Sequence, residues 1–164
     1  MYEKEKRMEK KIILTIDDEP HILELLEYNL TKAGYKVLRA ETGEKGLEIL
    51  RSARVDLVLL DRMLPGMDGI QVAREIRRGL GDDIPILLIS AYDWSEFETE
   101  ARAAGISGFI AKPLFKSTLF YGLQKYMGSE GDLQIEETKG ADLSGHRILV
   151  AEDNSLNWEV LHEL

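Results

Sequence analysis

The sequence has 164 residues, a hydrophobic content of 44% and a net charge of −9 at pH 7. This length allows one domain with a buried core, and the negative charge argues against nonspecific binding to nucleic acid or to a membrane surface. The sequence contains no cysteine, which excludes disulfides and thiolate metal sites. Residues 1–10 form a charged extension without a signal-peptide core, and no apolar run approaches the roughly 20 residues of a membrane span, so we expect a cytoplasmic protein.

Five short apolar runs alternate along the chain with segments of helical periodicity. The runs are residues 11–16, 36–39, 55–60, 84–90 and 108–111. The helical segments begin near Pro20, Thr42, Asp68, Ser95 and Leu119. Ser95 and Glu98 have capping-box spacing, which predicts a helix start at Ser95. The alternation favours right-handed crossovers, and it predicts an α/β fold with a doubly wound, five-stranded parallel sheet and helices on both faces.

Polar residues stand at the carboxyl ends of four of these strands. They are Asp17, Asp18, Asp61, Ser90 and Lys112. Open parallel sheets place their ligand sites at this edge, so we expect these side chains to converge. Three carboxylates in one pocket repel one another and need a cation, and all-oxygen ligation suits Mg²⁺. A carboxylate nucleophile beside a lysine and a serine fits phosphoryl transfer through an acyl-phosphate, whereas a single strand-end carboxylate could equally be a helix cap.

Four segments carry a resemblance to a known family. They are IDDE, LVLLDRMLPGMDG, LLISA and FIAKPL, in this order between residues 10 and 128. Together they resemble the receiver domain of two-component response regulators, of the chemotaxis-regulator-like kind. The resemblance implies a flavodoxin-like fold with strand order 2-1-3-4-5. It also implies a phosphorylation-controlled conformational switch, which is not an enzyme beyond its own phosphoryl uptake and hydrolysis.

The resemblance assigns the acidic residues to one reaction. It implies that Asp61 accepts a phosphoryl group from a histidine kinase or a phosphotransfer domain. Asp18 and Asp61 would bind Mg²⁺, or Mn²⁺ in its place, together with the backbone carbonyl of Met63. Asp17 would act on the metal through water. No nucleic acid and no membrane is expected as a partner.

The remaining motif residues are assigned to phosphate binding and switching. The resemblance implies that Ser90 and Lys112 contact phosphate oxygens, and that Ser90 and Phe109 change position on phosphorylation. The bond before Pro113 is expected to be cis, which only proline tolerates well. The output partner would bind the face formed by about residues 95–127.

Two positions predict how long the phosphate persists. Met63 and Tyr92 follow Asp61 and Ser90 by two residues, and neither a thioether nor a bulky phenol is suited to orient an attacking water. We therefore expect slow hydrolysis. An alternative is an aspartyl-phosphate phosphatase on a similar sheet, but such enzymes usually carry a second acid where Met63 stands. A third alternative is a scaffold or engineered receiver with no biological output.

The end of the sequence repeats its beginning. Residues 129–144 are acidic and polar and predict a linker. Residues 146–154 then repeat the pattern of 11–19, so 145–164 is interpreted as the first strand and partial first helix of an incomplete second receiver. This apolar fragment could cover the sheet edge, pair with another chain, or replace the first strand in a swapped homodimer.

The resemblance changes in character along the chain. Residues 11–78 resemble receivers of DNA-binding regulators, whereas residues from 84 onward resemble receivers of hybrid histidine kinases. The chain is therefore interpreted as a natural mosaic, a chimera, or a piece cut within a tandem array. Because Leu164 ends the sequence in mid-helix, we favour a chimera or a truncated chain.

Overall fold

Five strands alternate with five α-helices in the computed structural model, which describes residues 9–81, 83–91 and 94–127. The strands are β1 Ile12–Ile16, β2 Lys36–Ala40, β3 Leu57–Asp61, β4 Ile86–Ser90 and β5 Gly108–Ala111. The helices are α1 Pro20–Lys32, α2 Gly43–Ser52, α3 Gly69–Leu80, α4 Glu98–Ala103 and α5 Lys116–Met127. A 3₁₀ turn at Trp94–Glu96 precedes α4.

The sheet is parallel throughout and has the order β2-β1-β3-β4-β5, as predicted. The chain runs outward from β1 to β2, then returns to β3 on the other side of β1. This reversal is the topological switch point of a doubly wound sheet, where a crevice opens at the carboxyl ends of the strands. Asp61 ends β3 and Asp17 directly follows β1, so both residues stand at this crevice.

Alternating strand side chains build two separate cores, one on each face of the sheet. Ile13 of β1 packs in the core covered by α1 and α5, whereas its neighbour Leu14 packs in the core covered by α2, α3 and α4. In β3, Leu57 and Leu59 face the first core and Leu60 faces the second. Burial on both faces accounts for the continuous apolar runs of these central strands.

Strand starts differ slightly from the predicted ones. β3 begins at Leu57 because the Asp56 carboxylate accepts a hydrogen bond from the Ile12 N–H at 2.7 Å, ahead of the strand. β4 begins at Ile86 rather than at residue 84. Pro85 has no N–H to donate to a ladder, although its carbonyl accepts from the Val58 N–H at 2.9 Å.

Two helix starts match the predicted caps, and one does not. The Thr42 side chain accepts from the Lys45 N–H, and Asp68 forms a capping box with Gln71 at the start of α3. The predicted helix start at Ser95 is wrong, because that residue lies in the 3₁₀ turn and α4 begins at Glu98 with Phe97 as its N-cap. The Phe97 ring packs against the core instead of accepting a hydrogen bond, and this anchors the chain at the helix start.

The start of β1 and the end of α5 are tied together. The Lys11 ammonium donates a hydrogen bond to the Met127 carbonyl at the edge of the sheet opposite the crevice. Within the described residues, no helix is both long and apolar enough to cross a membrane. Tyr92, the linker at 129–144 and the fragment at 145–164 lie outside the described residues, as does most of the extension at 1–10, so the domain boundaries stay predictions.

Candidate functional site

Three carboxylates meet at the crevice. Asp17, Asp18 and Asp61 each offer an oxygen, and these oxygens all lie within 4.8 Å of one another. Asp17 and Asp61 are buried, with 1% and 3% of their surface exposed, whereas Asp18 faces solvent. The cluster is therefore open to solvent on the side of Asp18, at the topological switch point of the sheet.

Lys112 supplies the opposite charge. Its ammonium nitrogen lies 3.0 Å from Asp61 Oδ1, 3.7 Å from Asp17 Oδ2 and 3.7 Å from Glu19 Oε1. The lysine is held in place by its backbone N–H, which donates to the Ser90 carbonyl at 2.8 Å at the end of β4. The Lys112–Pro113 peptide bond is cis, as the resemblance implied.

Two groups of the site, Asp17 and Lys112, have pKa values that depart from their ordinary ones. Burial raises the pKa of Asp17 to about 6. The Glu19 N–H donates a hydrogen bond to Asp17 Oδ1 at 2.9 Å and lowers this pKa in part, whereas the nearby Asp61 charge raises it. For Lys112, burial favours the neutral form, but the hydrogen bond and charge of Asp61 outweigh it and raise the pKa. Lys112 is therefore a cation at all physiological pH values.

The buried acids fit a small divalent cation. Asp17 Oδ2 is buried and has no hydrogen-bond partner within the described part of the chain. A buried acceptor without a donor is costly, and two buried carboxylates within one cluster repel each other. A hard cation ligated by oxygen would satisfy both requirements, and the all-oxygen donor set is the kind that Mg²⁺ uses.

The other predicted site residues occupy the same edge of the sheet or its neighbourhood. Ser90 is buried at the carboxyl end of β4, in register with Ala111 of β5. Phe109 is half-buried on β5 and faces the core that α4 covers. The Met63 side chain is 59% exposed, in the loop after β3.

Two residues near the cluster were not predicted from the sequence. Glu19 contributes its N–H to Asp17 and its carboxylate to Lys112. Arg62 follows Asp61 directly and places Nη1 at 3.2 Å from Asp68 Oδ2. Adjacency to the acidic motifs was the only available signal, since neither contact follows from helical or strand periodicity.

A doubly wound parallel sheet with an acidic cluster at its switch point defines a class of α/β domain. Comparison with known proteins identifies the family within this class. Residues 13–124 match the family model described as the response regulator receiver domain. The chain belongs to this family, as the motifs predicted.

Curated relatives of the chain are transcriptional regulatory proteins. YrkP of Bacillus subtilis is 34% identical over 151 residues, which cover 90% of this chain and 63% of that protein. AfsQ1 of Streptomyces coelicolor is 40% identical over 102 residues, which cover 62% of this chain and 44% of that protein. The matched region thus spans less than two thirds of either relative.

Solved structures of similar fold include both response regulators and a kinase receiver. TrrA of Thermotoga maritima, solved in complex with Mg²⁺ and BeF, is 36% identical with a TM-score of 0.64, and the match covers 71% of this chain and 98% of that one. The receiver domain of a sensor histidine kinase of Pseudomonas aeruginosa, solved with a magnesium ion in its active-site cleft, is 30% identical with a TM-score of 0.66, covering 73% of this chain and 99% of that one.

These comparisons confirm the predicted family, fold and class of function. The chain carries the receiver domain of a two-component response regulator. Receiver domains of this family interact with histidine kinases and output domains. Both predicted kinds of relative occur among the matches, a transcriptional regulator and a kinase receiver, whereas the mosaic origin of the chain stays a prediction.

Proposed function

We propose that Asp61 is the phosphoacceptor and that the donor is a phosphohistidine of a histidine kinase or a phosphotransfer domain. The observation that carries the proposal is the pairing of the buried Asp61 carboxylate with the Lys112 ammonium at 3.0 Å, at the open end of the sheet. A carboxylate oxygen of Asp61 would attack phosphorus as the bond from phosphorus to the imidazole nitrogen breaks. The imidazole nitrogen keeps the electron pair, and Asp61 becomes an acyl-phosphate.

A divalent cation is the cofactor of this proposal. Asp18, Asp61 and the backbone carbonyl of Met63 would hold Mg²⁺, with Asp17 acting through water, and Mn²⁺ could take its place. When bound, the cation offsets the negative charge of the carboxylates and of the phosphoryl oxygens. The magnesium-containing structures of two similar receivers support this assignment.

Ser90 and Lys112 are proposed to bind the transferred group. The lysine ammonium is already at the cluster, and its raised pKa keeps it charged for a phosphate oxygen. Ser90 stands at the end of the neighbouring strand with a hydroxyl that can donate. These residues position and neutralise the group, which is most of what phosphoryl transfer requires of a protein.

Phosphorylation is proposed to reach a partner through the face formed by α4, β5 and α5, about residues 95–127. Ser90 and Phe109 would change position, since one lies beside the phosphate and the other lies on β5 against the core under α4. A groove on this face is lined by Arg102, Phe109 and Tyr121, and Tyr121 is 77% exposed. The kinase and this chain would share the cytoplasm, and no membrane or nucleic acid is proposed as a direct partner of the receiver.

The proposal is for a switch without turnover of a separate substrate. An aspartyl-phosphate phosphatase needs an acid to protonate its leaving group, and the residue two positions after Asp61 is Met63, an exposed thioether. Met63 and Tyr92 are also proposed to slow hydrolysis of the phosphoprotein. After removal of the donor, the phosphorylated protein should persist for minutes or longer, and decay within seconds would contradict this assignment.

Labelling with acetyl phosphate and Mg²⁺ tests the phosphoacceptor. Intact-mass spectrometry should show the gain of one phosphoryl group in the wild type and none in Asp61→Asn. Asp83→Asn, which changes an exposed carboxylate remote from the crevice, is the matched control and should label fully. Labelling of Asp61→Asn at the wild-type level, or a folded wild type that does not label, would overturn the proposal and favour the scaffold alternative.

Amide exchange tests the proposed output face. Addition of beryllofluoride and Mg²⁺ should change exchange rates in residues 95–127 and leave the buried strand β1 unchanged. The absence of any change on this face, with the analogue bound, would contradict the proposed signalling surface.

A further inference from the structure

One side chain next to Asp61 joins the starts of two helices. The Arg62 N–H donates to the Ile89 carbonyl at 2.8 Å, and the Arg62 carbonyl accepts from the Gly69 N–H at 3.1 Å. Its backbone is therefore fixed between β4 and the start of α3. Arg62 is also the residue that directly follows Asp61 in the chain.

The guanidinium of Arg62 lies between the N-caps of α3 and α4. Nη1 is 3.2 Å from Oδ2 of Asp68, which caps α3, and the guanidinium carbon is 5.2 Å from the ring centroid of Phe97, which stands at the N-cap of α4. Only 21% of the Arg62 side chain is exposed. An arginine over an aromatic face at this distance makes a favourable cation–π contact, worth more where water is excluded.

The contact continues to the face that α4 and β5 form. The Phe97 and Phe109 rings meet edge to face, with centroids 6.4 Å apart and an angle of 65°. The guanidinium carbon of Arg102 lies 5.1 Å from the Phe109 ring centroid, on the outer side. Arg62, Phe97, Phe109 and Arg102 thus form a continuous row, here called the cation–aromatic row, from the residue after Asp61 to the groove on α4.

Two features make the inner end of this row easy to rearrange. Nε of Arg62 is buried and has no hydrogen-bond partner among the described residues, so the present position of the side chain leaves a donor unsatisfied. Helix α4 has only 6 residues, and its N-cap residue Phe97 has no polar side chain to hold the first turn. Its start therefore depends on packing, and the Arg62 contact is part of that packing.

We propose that Arg62 is a positioning residue that transmits phosphorylation of Asp61 to the first turn of α4 through its contact with Phe97. This inference rests on the proposed phosphorylation of Asp61. Phosphorylation replaces the single negative charge of the Asp61 carboxylate by a phosphoryl group that carries about −1.5 to −2 of charge at neutral pH. That charge draws the guanidinium and its unsatisfied Nε away from the Phe97 ring, and α4 loses a contact that holds its start.

The size of the effect follows from the contact. A cation–π contact at a partly exposed site is worth about 0.5–1 kcal/mol, which corresponds to roughly a two- to fivefold change in an opening equilibrium. Phosphorylation or beryllofluoride binding should therefore accelerate amide exchange of residues 98–103 by about that factor in the wild type.

The test compares variants whose phosphoryl occupancy is measured in the same samples. Arg62→Gln should take up the phosphoryl group to the wild-type extent, exchange two- to fivefold faster over α4 before labelling, and accelerate no further after it. Arg62→Lys keeps a cation and should retain part of the response. Arg78→Gln, which removes an exposed arginine of α3 that pairs with Glu75, is the matched control and should respond like the wild type.

Each outcome separates this inference from the proposed function. A wild type that does not label on Asp61 overturns the proposed function. A labelled Arg62→Gln protein that accelerates like the wild type overturns the role of Arg62, and so does a folded Arg62→Gln protein that cannot be labelled, because Arg62 would then act in uptake. Phe97→Leu removes the ring while keeping an apolar side chain. It should show the same faster exchange over α4 before labelling and the same lack of further acceleration after it. This second variant tests the contact even if Arg62→Gln folds poorly.

Discussion

The ammonium nitrogen of Lys112 lies 3.0 Å from Oδ1 of Asp61, although β4 separates the two strands from which these residues come. The lysine reaches across the end of β4 while its own backbone is bonded to the Ser90 carbonyl. Lys112 therefore acts as a built-in counterion of the acidic cluster, in the absence of any other cation.

Replacement of this counterion should have opposite effects on stability and on metal binding. Lys112→Met is expected to lower the free energy of unfolding without metal by about 1–3 kcal/mol, because the buried carboxylates lose their hydrogen-bonded cation. The same variant should bind Mg²⁺ more tightly, because no ammonium repels the ion. Urea denaturation with a chelator and a Mg²⁺ titration measure the two effects.

The control for this prediction is Lys125→Met, which removes an exposed lysine of α5. It should change the free energy of unfolding by less than about 0.5 kcal/mol and leave Mg²⁺ binding unaltered. Weaker Mg²⁺ binding by Lys112→Met than by the wild type would contradict the counterion role.

Stability without metal should fall as the pH rises through the pKa of Asp17. Burial raises this pKa to about 6 from an ordinary value near 3.8, so the folded protein binds a proton that the unfolded chain has lost. The contribution is fully present below about pH 4 and is lost as the pH rises through about 6. We expect Asp17→Asn to gain roughly 2 kcal/mol relative to the wild type at pH 7 and little at pH 4. Urea denaturation at both pH values measures the difference, and an equal gain at both would contradict it.

The affinity for Mg²⁺ should depend on the same proton. Below about pH 6 the protonated Asp17 no longer contributes a negative charge to the cluster, so Mg²⁺ binding should weaken as the pH falls from 7 to 5. In Asp17→Asn the affinity should be lower at pH 7 and should vary less over this interval. Isothermal titration at pH 5, 6 and 7 compares the two proteins, and parallel profiles would argue against control by Asp17.

Replacement by alanine should have opposite effects on the free energy of unfolding at two glycines of α3. A Cβ added at Gly69 would lie 2.4 Å from the backbone oxygen of Asp61, so Gly69→Ala must displace the backbone of Asp61 or the start of the helix. We expect a loss of about 2–4 kcal/mol and reduced phosphoryl uptake. Gly79 has open space around it, and Gly79→Ala should raise the free energy of unfolding by about 0.5–1 kcal/mol.

Thermal unfolding and acetyl-phosphate labelling of both glycine variants check this pair. Gly79→Ala controls for the change in helix propensity, which both substitutions share. If Gly69→Ala is as stable as Gly79→Ala and labels equally, the close approach of Gly69 to Asp61 does not constrain the site.

Periodicity and strand ends were sufficient to predict the sheet and its acidic cluster. Apolar runs marked every strand, and the meeting of Asp17, Asp61 and Lys112 followed from the rule that parallel strands end at one edge. Such contacts depend on the backbone topology alone, which local patterns determine well. The order of the strands came from the resemblance, because alternation by itself leaves several orders open.

Contacts between side chains of distant segments could not be predicted in this way. The position of Arg62 over Phe97 joins residues far apart in sequence and depends on how α4 packs. The same packing accompanies the wrong start of α4, which begins after Phe97, a residue whose ring packs against the core, and not at Ser95. Capping residues in the sequence predict a helix start where a polar side chain caps the helix, as at Thr42 and Asp68, but not where the N-cap residue packs against the core, as at Phe97.

The bond from the Lys11 side chain to the Met127 carbonyl has a practical consequence for protein engineering. Because the first strand begins beside the end of the last helix, a short peptide could join residue 127 to residue 9 in a circular permutant. New termini could be opened at the exposed turn of residues 52–54, which lies at the same edge. Such a rearranged chain would keep the acidic crevice whole, and sensor domains could be inserted at the old junction without obstructing a phosphodonor.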